Sequence, residues 1–323
     1  VRNNRGPVYS LSDIERVVDR ASILNAIDEA ICLHAAGKVC SPDPGVLIFN
    51  QPPGDCHIKY GFINGGPSFV IKVAVGFYGN PDLGLSTNNG LVLVFDSQTG
   101  KTKAILLDEG WLTSWRTAAA GALAARAGAP NRITGLGIVG TGHQAELQAQ
   151  WASETLGIRH IRIWGRNQDH ARALAERLAR SGLDVVPEAS IEGLFEACNV
   201  VITCTPAASP IVPSKVVQSG THIVAVGADS PGKQELDAEI LGRAAAVATD
   251  DHRQCLAHGE FHYAVAAGLR TESSDVALGD ILMGRRKLRS HAKDITVVDL
   301  TGLPAQDVAI AEYAVQRLQA RKE

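Results

Sequence analysis

Apolar residues recur at helical intervals over residues 12–36, at Ile14, Val17, Val18, Ala21, Ile23, Leu24 and Ile27, behind Ser12 with Glu15 three positions on. The spacing predicts one amphipathic opening helix capped at Ser12. Beyond Gly45 the period changes. Short β-branched or aromatic runs at 46–49, 69–75, 91–95 and 104–107 are separated by Gly, Pro and Asn, which predicts an antiparallel meander. Residues 112–127 are rich in alanine and stop short of Pro130, the mark of a tightly packed connecting helix.

After Pro130 apolar runs at 133–139, 161–164, 200–203, 223–226 and 246–249 accompany helical stretches at 143–155 and 169–180. Near-continuous apolar strands alternating with helices predict a parallel sheet covered on both faces. A late strand at 295–299 precedes a helix at 306–321 that is expected to return to the first domain. The fold class is therefore α/β, with a doubly wound parallel sheet in residues 116–304. An α+β domain with an antiparallel sheet is expected in residues 1–115, completed by 305–323.

Composition narrows the function. Of 323 residues, 45% are hydrophobic and 20% charged, an ordinary globular balance, and the length favours two domains over one. Thirty-one basic residues against thirty-four acidic ones give a net charge of -3 without long runs of one sign, which argues against nucleic acid or an anionic membrane as partner. The six cysteines show no metal-binding spacing, so no metal is expected. No leader-like or membrane-spanning run stands out, and the expected location is cytoplasmic, with a small molecule as partner.

Gly140-Thr141-Gly142-His143-Gln144-Ala145 follows one predicted strand and opens a helix. In that setting the glycines let backbone N–H groups reach a pyrophosphate, and the helix N-terminus adds partial positive charge. This makes the second domain Rossmann-type. The next strand runs into Trp164-Gly165-Arg166-Asn167, where a carboxylate would select NAD(H). Arg166 suits a 2′-phosphate, so NADP(H) is the preferred cofactor, with NAD(H) open if Arg166 is merely a solvated loop residue.

Four segments resemble the ornithine cyclodeaminase/mu-crystallin family: Phe69-Val-Ile-Lys72, Leu112-Thr-Ser-Trp-Arg116-Thr-Ala-Ala, the glycine turn, and Val226-Gly-Ala-Asp229-Ser-Pro-Gly-Lys233. Asp299-Leu-Thr-Gly-Leu fits the family's closing strand. The resemblance implies a homodimer whose first domain binds substrate and forms the dimer, with chemistry at an amino or imino carbon facing a nicotinamide. It implies that Lys72 binds the substrate near its carboxylate, that Arg116 bridges that carboxylate and the cofactor phosphates, and that Asp229 is the acid/base. Lys72 is taken with Asp229 as catalytic. Thr87, Thr117, His143, Gln144, Thr205, Val226, Gly227 and Thr301 become cofactor contacts beside Gly140, Thr141, Gly142, Gly165, Arg166 and Asn167.

Each of these has a plainer alternative. Lys72 could sit in a structural ion pair, Arg116 could fix the domain junction, and the turn-forming Asp-Ser-Pro-Gly could use Asp229 only to cap backbone amides. Two departures from the family's cyclodeaminase pattern bear on the substrate. Residues 45–53 lack the first-strand arginine, and the glutamate expected thirteen residues before the strand lysine is Lys59. A cation there repels the distal amine of ornithine and can serve a carboxylate instead. The expected reaction is reduction of a small α-imino acid, a ketimine or a cyclic imine such as pyrroline-2-carboxylate, to the L-amino acid. Deaminating cyclisation of a diamino acid and non-catalytic binding of NADPH and a ligand are the alternatives. His57 is a candidate substrate contact and second acid/base, or a core histidine.

Overall fold

The structure is a computed structural model and describes residues 6–77 and 79–321. The chain divides into two compact units, Val1–Arg116 with Leu303–Glu323, and Thr117–Gly302.

In the first unit the chain opens with β1 (Val8–Ser10) and then forms two helices, α1 (Leu11–Glu15) and α2 (Arg20–Ala35), where the periodicity predicts one. The cap is Ser10 rather than Ser12. Its hydroxyl accepts from the Asp13 N–H at 3.4 Å, and Asp13 accepts from the Ser10 N–H at 3.0 Å. Asp19 accepts from the Ser22 N–H at 2.9 Å and starts the second helix, so a competing N-cap breaks an apolar stripe that runs on through it.

The strands that follow are β2 (Val39–Cys40), β3 (Gly45–Asn50), β4 (Pro53–Ile63), β5 (Ser68–Phe77), β6 (Asn88–Asp96) and β7 (Thr102–Leu107). The sheet order is β1-β7-β6-β5-β4-β2, with β3 also paired to β4. The pairings from β2 to β7 are antiparallel, while β1 joins β7 in parallel. Strand alternation puts Lys59 and Gly61 of β4, Val70 and Lys72 of β5, Val92 and Val94 of β6, and Ala104 and Leu106 of β7 on one buried face. Helix α11 (Pro304–Ala320) lies against β4, β5 and β6, with α2 beside it.

Helix α3 (Trp111–Gly128) contains the division between the units. The second unit continues with β8 (Leu136–Val139), α4 (His143–Leu156), β9 (His160–Trp164), α5 (Gln168–Arg180), β10 (Asp184–Pro187), α6 (Ile191–Ala197), β11 (Val200–Thr203), β12 (Ala208–Val212), β13 (His222–Ala225) and β14 (Gln234–Leu236). It closes with α7 (Ala238–Arg243), β15 (Ala246–Thr249), α8 (His252–His258), α9 (Glu260–Ala266), β16 (Asp275–Ala277), α10 (Leu278–Leu282) and β17 (Thr296–Asp299). Eight strands pair in parallel in the order β10-β9-β8-β11-β13-β17-β15-β16, and β12 and β14 form a separate parallel pair.

One sheet face buries Val139, Val201, Ile223 and Val297 against Leu194 of α6, Ile240 of α7 and Phe261 of α9. On the other face His222 donates from Nε2 to the Ala124 carbonyl of α3 at 3.0 Å and accepts at Nδ1 from the Thr296 hydroxyl at 2.9 Å. Burial holds this imidazole down to a pKa of about 4, so it is a neutral packing residue. The sheet is thus covered on both sides, a doubly wound Rossmann-type arrangement in which β11 turns away from the direction taken by β9 and β10 and opens a crevice at the carboxyl ends of β8 and β11.

Candidate functional site

In the first unit the sheet brings two cations face to face. Lys59 and Lys72 are direct partners across β4 and β5, and both are buried, 8% and 3% exposed. Like charges in directly opposed positions destabilise a sheet unless something offsets them. Here the offset is Asp307, 4% exposed, in the first turn of α11. Its carboxylate lies 3.1 Å (Oδ1) and 3.0 Å (Oδ2) from Lys72 Nζ, and its Oδ1 lies 3.2 Å from Nε of Arg116, itself 7% exposed. Arg116 also donates from Nη1 to Gln306 Oε1 at 3.2 Å. Gln306 Nε2 is a buried donor without a hydrogen-bond partner among the described residues.

Burial pulls Lys72 down to a pKa of about 8, against the pull of Asp307 in the other direction, and Arg116 and Lys59 add repulsion. Burial alone would raise Asp307, but the three cations outweigh it and hold the carboxyl below its ordinary range. The nearby Asp108 is raised by burial and accepts from the Leu112 N–H at 2.9 Å at the start of α3. Three buried cations thus surround one firmly ionised carboxylate, and the remaining positive charge suits an anionic ligand. His57 lies two residues from Lys59 on the same strand face, its Nε2 3.5 Å from Asp55 Oδ1. Thr87 stands apart in the β5–β6 connection, where its carbonyl accepts from the Phe77 N–H.

In the second unit the expected cofactor residues fall together at the carboxyl edge of neighbouring parallel strands. Gly140 to Gln144 follow β8, Gly165 to Asn167 follow β9, Thr205 follows β11, Val226 to Asp229 follow β13, and Thr301 follows β17. Gly140 has φ +135°, and a Cβ there would meet the Cys204 carbonyl oxygen at 3.0 Å. Gly142 is the N-cap of α4 with no side-chain cap, and a Cβ there would point into open space. Backbone N–H groups at that helix start are therefore available to a phosphate, and the turn fits a dinucleotide.

Arg166 is exposed, whereas Asn167 is committed to capping α5, accepting from the Asp169 and His170 N–H groups at 2.9 and 3.2 Å. Gln148 Nε2 donates to the Thr117 carbonyl at 3.1 Å and to Gln144 Oε1 at 3.4 Å, linking two expected contact positions. His143 and Asp229 are exposed, and Asp229 accepts from Lys233 Nζ at 2.7 Å. Asp250 accepts from the Thr301 and Gly302 N–H groups at 3.0 and 2.7 Å, fixing the loop after β17. Among the described residues no group of side chains could hold a metal ion, and no helix is long and apolar enough to cross a membrane.

Asp307, Gln306 and Glu235 escape a reading of the sequence alone. The only local sign of Asp307 is an acid in the first turn of a helix, a place where carboxylates are common. Glu235 stands two residues beyond the Asp229 to Lys233 turn and carries no pattern of its own.

A doubly wound sheet with a glycine turn at its first strand-to-helix junction, in a chain whose first unit buries a cationic cluster, defines a dinucleotide-binding protein of the Rossmann class. The chain belongs to the ornithine cyclodeaminase/mu-crystallin family, whose sequence profile matches residues 7–322. A Sinorhizobium fredii protein named as an uncharacterized cyclodeaminase, y4tK, is 38% identical over 287 residues, covering 86% of this chain and 85% of that one. Two solved structures are similar throughout. An archaeal alanine dehydrogenase dimer with bound NAD has a TM-score of 0.89 at 30% identity, covering 98% of this chain and 97% of that chain. The iminosuccinate reductase of Paracoccus denitrificans in complex with NAD+ has a TM-score of 0.90 at 28% identity, with the same coverage.

Replacing Asp307 by Ala leaves the buried cations without their carboxylate. Urea denaturation is expected to show a loss of about 3–5 kcal/mol, the range for breaking a buried ion pair from one side. A loss below about 1 kcal/mol would mean that water, not Asp307, compensates them.

Proposed function

We propose that the protein reduces a small α-imino acid, a ketimine or a cyclic imine such as pyrroline-2-carboxylate, to the L-amino acid with NAD(P)H. The observation that carries this reading is the grouping of Lys59, Lys72 and Arg116 around the single carboxylate of Asp307. Such a cluster attracts a carboxylate and repels a second ammonium, which favours an imino acid over a diamino acid. The likeness to an iminosuccinate reductase supports the reaction type.

Bound NAD(P)H would supply the hydride for the imine carbon. Lys59, Lys72 and Arg116 would hold the substrate carboxylate, with Gln306 Nε2 as a further donor and His57 at the margin. Asp229, whose Oδ1 accepts from Lys233 Nζ, would serve as the acid/base that passes a proton to the substrate nitrogen. The net change is one hydride to carbon and one proton to nitrogen. For the cofactor, the absence of a carboxylate at the tip of β9 and the exposed Arg166 favour NADP(H), while Asp169 close by and the NAD or NAD+ of both solved relatives named above keep NAD(H) open.

We also propose that two copies associate through the first unit. Edge strand β3 is exposed along its length and carries Val46, Leu47, Ile48 and Phe49, and Tyr60 and Phe62 of β4 are exposed as well, an apolar surface of the kind that subunit contacts cover.

Mixing the protein and NADPH with a panel of cyclic and linear α-imino acids should deplete the reduced-nicotinamide absorbance. Asp229→Ala should slow that reaction about 100-fold or more while cofactor binding persists. No depletion, with ammonia released from ornithine or lysine in the presence of NAD, would establish cyclodeamination instead, and silence in both assays would leave a binding protein. Arg166→Ala should weaken NADPH about tenfold more than NADH, as loss of a charged hydrogen bond does, and equal losses would remove the case for NADP(H). Sedimentation equilibrium should give twice the chain mass for the wild type and the chain mass for Leu47→Asp; a monomeric wild type would refute the association.

A further inference from the structure

The loops that end β11 and β13 are joined by one side chain that the proposed chemistry does not use. Glu235, in the short strand β14, is fully buried. Its Oε1 accepts from the Thr205 N–H at 2.6 Å, and its Oε2 accepts from the Thr203 hydroxyl at 2.7 Å and the Gly227 N–H at 2.8 Å. Thr203 and Ala225 are register partners at the ends of adjacent strands. The Cys204 and Val226 amides just beyond still find backbone acceptors, but one residue further on the Thr205 and Gly227 amides leave the ladder and need another acceptor. Glu235 serves both sides of the gap. The approach is so close that a Cβ on Gly227 would lie 2.2 Å from the Thr205 carbonyl oxygen and 2.5 Å from the Glu235 carboxyl.

The strand that carries Glu235 is fixed in turn. Glu260, at the start of α9, accepts from the Glu235 and Leu236 N–H groups at 2.6 and 3.2 Å. We propose that Glu235 is a positioning residue for the dinucleotide site, holding Thr205 and Gly227 at the spacing that cofactor binding requires. The proposal rests on the reading of Thr205, Val226 and Gly227 as cofactor contacts.

A carboxylate can accept all three hydrogen bonds, whereas a protonated carboxyl turns one oxygen into a donor and must release a tether. Burial pushes Glu235 up to about 7 against the pull of these same hydrogen bonds, so the tether is sensitive near neutral pH. The titratable groups around it are Cys204 in the β11 loop and Glu260 of α9, both raised by burial, and Asp299 of β17 acts on Glu260 in turn. Since protonation loosens the loops, cofactor affinity falls as pH drops through the Glu235 transition.

The test is the dissociation constant of NADPH and of NADH, read by nicotinamide fluorescence between pH 6 and 9 on the full chain. Wild-type affinity should weaken toward the acid end. Glu235→Gln should bind at least tenfold more weakly at alkaline pH, with the pH dependence flattened. Thr203→Val removes one hydrogen bond that stabilises the ionised form, so its transition should move to higher pH, and it serves also if the glutamine variant fails to fold. Equal affinity of wild type and Glu235→Gln, or an unmoved transition in Thr203→Val, overturns the proposal. A folded wild type that binds neither nucleotide at any pH refutes the cofactor reading itself.

Discussion

Three positive charges are buried against one carboxylate, and much of the first unit follows from that constraint. Lys59 and Lys72 oppose each other across two strands, an arrangement a sheet does not tolerate without a counter-charge. The counter-charge comes from α11, which must therefore lie on this face with its first turn over the lysines. Arg116, in α3, reaches the same carboxylate and binds a third element to the cluster. The polar centre thus sets the register of the packing around it, and it leaves positive charge in excess of the Asp307 carboxylate on this face.

The second unit solves a different problem. Parallel strands satisfy their backbone groups inside the ladder and leave them unsatisfied where the chains turn out of it. Glu235 and Asp250 answer this at the carboxyl edge, one for the loops after β11 and β13, the other for the loop after β17. The edge that would face a nucleotide is shaped by acids that do not need to touch it.

The parts of this architecture legible in the sequence are those fixed by local pattern. Buried parallel strands read as continuous apolar runs, and β11 and β15 fall where such runs predict them. The glycine turn is legible because its chemistry is contained in six consecutive residues. Strand β4 is hidden because Pro53, Gly54, Asp55, His57 and Lys59 dilute its apolar signal, and two of those are candidate ligands. The opening helix is misread because Asp19 caps a second helix inside one apolar stripe. Asp307 is silent because its partners Lys72 and Arg116 lie 235 and 191 positions away, and only folding brings them within reach.

That sequence separation has a consequence for biogenesis. Helix α11 follows the whole of the second unit along the chain, yet it belongs to the first. During synthesis the sheet bearing Lys59 and Lys72 emerges long before Asp307, and its lysines repel each other until that carboxylate arrives. Because β17, which sits between β13 and β15, also emerges only just ahead of α11, both units are completed together near the end of the chain, and the first sheet stays uncovered until then.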